Sequence, residues 1–126
     1  SKVIEITTQR MNDAFAELVR TVGKQENAGY AKQGREICRY AEDERVLFRH
    51  FVVDNSRGME MLDNKWTVEM LKETYGISKE QAEKADQAMK EYILGKAFLV
   101  NSGYEKFDAD KIEQDINVYL EFVLKK

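Results

Sequence analysis

A chain of 126 residues with seven glycines and no proline has room for one domain and too little turn punctuation for a many-stranded β fold, which leaves a helical one. Its 20 basic and 23 acidic residues sum to a net charge of −3 and are mixed along every segment, so no cationic stripe is available to neutralise phosphates, and the chain as it stands is a poor nucleic-acid binder. The apolar runs, such as Phe51-Val52-Val53, fall far short of the roughly 20 residues a membrane span needs; the N-terminus lacks a signal-peptide pattern and the single Cys38 cannot form an internal disulfide, so a cytoplasmic location is expected.

The chain starts Ser1-Lys2-Val3, inside a helical pattern and without an initiator methionine, as expected of a fragment of a longer protein. Ile4, Met11, Phe15, Leu18 and Val22 fall on one stripe and predict a first helix over about 3–22. Gly23, Gly58, Gly76 and Gly103 each follow an apolar-periodic stretch, where a left-handed C-terminal cap is wanted, and so divide the chain into helices. Asn27 is the candidate cap of a second helix that buries Tyr30, Gly34, Ile37 and Ala41. Asp43 is the candidate cap of a third, about 44–54. There Val46, Leu47, Phe48, Phe51, Val52 and Val53 cover most of the circumference, and a helix apolar all round is expected to be buried. A fourth helix, about 60–75, carries Leu62, Trp66 and Met70 on one face and Met61, Val68, Leu71 and Tyr75 on another, which predicts a position between two packed layers.

Ser78-Lys79-Glu80-Gln81 is a capping box, in which the serine hydroxyl and the glutamine amide each satisfy an orphan backbone group. The fifth helix opened there meets no breaker until about Ser102, a length on the order of 37 Å at the usual rise per residue. Its core stripe is Ala82, Ala85, Met89, Tyr92, Ile93, Ala97 and Val100. Asp108 opens a sixth helix to about Leu124, with Ile112, Ile116, Tyr119, Leu120 and Val123 inward. Residues 1–126 thus read as one all-α domain, a bundle of about six helices.

Each of the last two helices has apolar residues to spare. Leu94 and Phe98 stand one turn apart outside the stripe of the fifth, and Val118 and Phe122 repeat the pattern on the sixth. Two adjacent helices so decorated supply a contiguous exposed patch, the usual mark of an association site. Two copies meeting there about a twofold axis would build a four-helix bundle from two helices each, so a homodimer is expected.

The segment Glu36-Ile37-Cys38-Arg39-Tyr40-Ala41-Glu42-Asp43-Glu44-Arg45-Val46-Leu47-Phe48 resembles TetR-type transcriptional regulators, in which a helix ending aromatic-Ala-acidic is followed by a leucine-phenylalanine pair opening a buried helix. Tyr92-Ile93-Leu94-Gly95-Lys96-Ala97-Phe98-Leu99-Val100 is similar to that family's penultimate helix. The resemblance covers nearly the whole chain and lacks the helix-turn-helix that would precede Ser1. It implies an effector-binding and dimerisation domain with the last two helices as the seam. DNA would be contacted only through the missing N-terminal head, whose spacing an effector in the core biases.

A cavity for such an effector needs apolar walls and a few convergent polar groups, and Phe51, Met59, Leu62, Trp66, Met70, Met89 and Tyr92 are the candidates, the methionines adapting to varied shapes. Each of these side chains would serve equally as core filling. Lys96 falls within the apolar stripe, where its ammonium must find a partner: an anionic group on the effector, or a local acid and water reached by snorkelling. His50, the only histidine, is a candidate pocket residue; with no cysteine or carboxylate at ligand spacing it makes no metal site. No catalytic residue can be assigned, since Cys38 has no activating pair and the glycines stand singly rather than in a phosphate loop, and no cofactor is expected. The alternative to a sensor is a stand-alone helical adaptor or a histidine phosphotransfer-like module using His50.

Overall fold

The computed structural model describes residues 29–54, 56, 62 and 65–125, together with Gln9 and Asp13, which are helical and exposed. The first expected helix apart from those two positions, and Gly23, Asn27, Gly58, Met59 and Met61, lie outside the described residues. The described chain is all helical: α1 (Tyr30–Asp43), α2 (Arg45–Phe48) running on into a π-helical turn (Arg49–Asp54), α3 (Lys65–Tyr75), α4 (Lys79–Asn101) and α5 (Ala109–Leu124). No described helix is long and apolar enough to cross a membrane.

Helix α1 is capped by Gly29, whose extended backbone lets its carbonyl accept from the Gln33 amide at 3.2 Å; it, rather than Asn27, holds the cap position. Tyr30, Gly34, Ile37, Cys38 and Ala41 line its buried side at spacings of three and four. Asp43 turns out to be the last residue of α1, and Glu44, whose φ of −121° and ψ of 62° leave the helical region, breaks the chain before α2. The expectation that the 44–54 helix is buried all round also needs correction. Phe48 and Phe51 are buried, but Val46 is 77% exposed, because so short an element presents only one side to its neighbours.

Helix α3 begins at Lys65, with Leu62 fully buried ahead of it. It packs on α4 and buries Thr67 and Leu71, one turn apart, while Trp66, Val68 and Met70 are half-buried and Tyr75 is exposed. Val68 and Met70, one from each expected face, both pack against the core. Gly76, at φ +63°, ends it as a left-handed cap, and Gly103, at φ +83°, does the same beyond α4.

Helix α4 opens on the expected box: the Gln81 amide donates to Ser78 Oγ at 3.1 Å, and the Ser78 amide to Gln81 Oε1 at 3.2 Å. It buries Ala82, Ala85, Met89, Ile93, Ala97 and Val100. Asp108 caps α5 by accepting from the Lys111 amide at 3.2 Å, and Ile112 and Ile116 are its buried residues. Helix α1 packs against both α4 and α5. Gly34 allows the approach: a Cβ there would fall on Ile116 Cδ1 and lie 3.4 Å from Ile93 Cγ1, so α1 sits in the groove between the two long helices.

Candidate functional site

Helices α4 and α5 run back to back, since Tyr92 stacks on Tyr119 with ring centroids 4.2 Å apart and planes 9° from parallel, and Lys96 pairs with Asp115. The outer side of this hairpin carries exposed apolar side chains among polar ones such as Lys84, Lys111 and Gln114. Phe98 is 48% exposed, Val118 59% and Phe122 75%, and Leu99 is exposed beside Phe98. Leu94, expected on the same face, is partly buried and packs against the core of its own chain. Three grooves cross this side, of about 500 Å³ over Tyr92, Gly95, Phe98 and Leu99, about 570 Å³ over Tyr92, Val118, Tyr119 and Phe122, and about 390 Å³ over Ile77, Ala88, Tyr119 and Phe122. The middle groove shares Tyr92 with the first and Tyr119 and Phe122 with the third, so the three follow one another as a trough along the hairpin, with the stacked tyrosine pair at its middle.

Lys96 is 8% exposed, and its ammonium is already engaged: Nζ donates to Asp115 Oδ2 at 2.6 Å and to Glu105 Oε1 at 2.9 Å. Lys111 reaches the same carboxylates at 3.1 and 3.4 Å. Desolvation alone would depress the Lys96 pKa, but the hydrogen bonds from Asp115 and Glu105 outweigh it and raise the value above 10.5. Asp115 is held below the ordinary 3.8 chiefly by its hydrogen bond from Lys96. Of the two readings of Lys96, this geometry supplies the local acids, while its side chain also lines the groove over Gly95. The cluster ties the α4–α5 loop, through Glu105, to both helices.

A second polar cluster, which the sequence reading missed, lies inside. Asp86 accepts from Tyr30 OH at 2.5 Å and from Thr67 Oγ1 at 2.7 Å on one oxygen, and its other oxygen pairs with Lys90 Nζ at 2.7 Å. One carboxylate thus links α1, α3 and α4. Burial and the neighbouring carboxylate push the Tyr30 hydroxyl pKa far above its usual value, so it stays a donor. The signal was present, since Asp86 falls within the Ala82, Ala85 and Met89 stripe, where a carboxylate must be satisfied. Asn101 makes a third link: its amide donates to the Ala41 and Arg45 carbonyls at 3.0 and 3.1 Å, and Arg45 returns a bond to the Asn101 carbonyl at 2.7 Å.

Phe51, Leu62 and Met89 belong to one buried cluster, against which Met70 packs; Trp66 is half-buried, and Met59 lies outside the described residues. Tyr92 also packs against that cluster while lining the outer grooves, and Lys96 is engaged in its ion cluster. His50 is half-buried on the π-helical turn, its ring edge-on to Phe51 at 4.7 Å. Cys38 is fully buried, and desolvation pushes its thiol up to about 12, which keeps it protonated and unreactive at neutral pH. Among the described residues, no group of three or more His, Cys, Asp or Glu could hold a metal ion. Comparison of the chain with family models, with curated proteins and with solved structures found no match in any of the three.

Proposed function

We propose that the chain is the ligand-sensing and dimerisation domain of a TetR-type transcriptional regulator, with a second copy docking on the α4–α5 trough. The observation that carries this reading is the uncovered apolar side of that hairpin. At about 150–250 Å² for a whole aromatic side chain, Phe98, Leu99, Val118 and Phe122 leave on the order of 400 Å² of apolar surface facing water. A standard interface takes roughly 800 Å² from each partner, somewhat over half of it apolar, so these side chains alone supply most of the apolar share. Pairing two hairpins gives a four-helix bundle.

The sensing half of the reading rests on Phe51, Leu62 and Met89 in the core with Met70 packed against them: aromatic and thioether side chains can part around an apolar effector. Contact with DNA belongs to a head outside this chain, consistent with a net charge of −3 and no basic stripe. Light scattering tests the docking. Phe98→Glu and Phe122→Glu each place a charge on the apolar surface of the trough and should turn a dimer into a folded monomer; an unchanged mass contradicts the reading.

A further inference from the structure

Gly95 stands in the interior of a 23-residue helix, where glycine is worse than alanine both for helix formation and for unfolded-state entropy. Among the described residues, no contact requires it. Its backbone has no positive φ, and a Cβ built on it meets no atom within 4 Å, in contrast to Gly34, where a Cβ strikes Ile116. What the missing side chain does is deepen the groove of about 500 Å³ walled by Tyr92, Phe98, Leu99 and the stem of Lys96, whose ammonium is held by Asp115 and Glu105. The complementary shape stands elsewhere on the same trough: Phe122 is the most exposed apolar side chain of α4 and α5.

We propose that Phe122 of one copy seats in the groove over Gly95 of a second copy, and that the reciprocal contact forms at the same time and sets the register of the pair. The inference rests on the dimer reading above. A face that carries both a projecting aromatic and an empty apolar groove is complementary to itself, because a twofold rotation brings each projection to the other's groove. An unrelated partner would need only one of the two features. An aromatic anchor buried at the centre of an interface is also where binding energy concentrates, so this contact should dominate the affinity.

The test is a set of dimer dissociation constants from dilution monitored by light scattering. Gly95→Leu fills the groove and should weaken the dimer at least tenfold, while its melting temperature in the dissociated state does not fall, since leucine is the better helix former and its Cβ meets no described atom within 4 Å. Phe122→Ala should weaken the dimer to a similar degree. Combining the two exchanges a projection for a groove, so the double variant should bind more tightly than Gly95→Leu alone. An unaltered chain that is monomeric removes the dimer reading and this pairing with it. A dimer indifferent to Gly95→Leu, or additive losses in the double variant, overturns the pairing and leaves the dimer reading standing.

Discussion

Asp86 shows how one side chain can bind three helices. Its two oxygens take hydroxyl protons from α1 and α3 and an ammonium from α4, all where water is excluded. A satisfied network of this kind is stabilising mainly in the negative sense: removing one member strands the others without partners. Asp86→Ala takes the acceptor from the buried Tyr30 hydroxyl and the carboxylate from the Lys90 ammonium and should cost about 3–5 kcal/mol, measured by urea denaturation. Asp86→Asn keeps an acceptor for the hydroxyls and should cost less. Equal losses in the two variants would mean that the charge alone matters. The Lys96 cluster makes a pH prediction at the same scale. Asp115 is more acidic folded than unfolded, so its contribution is present above pH 3.8 and is lost as pH falls through the lowered folded value. The raised Lys96 contributes below 10.5, and that share is lost as pH rises through the folded value. Melting temperatures should therefore fall at both extremes, and Lys96→Met should flatten the alkaline limb.

At the scale of elements, the close seat of α1 between α4 and α5 depends on Gly34. Gly34→Val brings a branched side chain against Ile116 and Ile93 and should destabilise the fold by about 1–3 kcal/mol, read from the shift in the denaturation midpoint. An unchanged midpoint would mean that α1 can move outward at no cost. Periodicity and capping chemistry made α1, α4 and α5 legible, because each is long, has a one-sided apolar stripe, and in α4 and α5 starts on a side chain that captures an orphan amide. The apolar excess on α4 and α5 was legible for the same reason, with Leu94 an exception because helix packing admits side chains at the margin of a stripe. Elements decided by tertiary packing were not. Val46, Val52 and Val53 look like core in sequence, yet the 45–54 element is too short and too irregular to bury more than Phe48 and Phe51. Asp86 was missed because a carboxylate in an apolar stripe is ordinarily at its edge; only the convergence of Tyr30 and Thr67 from other helices makes its burial tolerable.

On the scale of the whole molecule, the helices divide the work. Helix α1 and α3 cover the inner side of α4, where the polar clusters pin them, and the outer side of the α4–α5 hairpin is left with its aromatic side chains in water. Exposed aromatics at this density are expensive in a monomer and ordinary at an interface. A second copy covering the trough would also make the melting temperature rise with protein concentration, as mass action requires. The most direct test is sedimentation equilibrium of the unaltered chain across a range of concentrations. The account predicts a species of twice 14.7 kDa that dissociates on dilution, whereas a single species of 14.7 kDa at every concentration would contradict it.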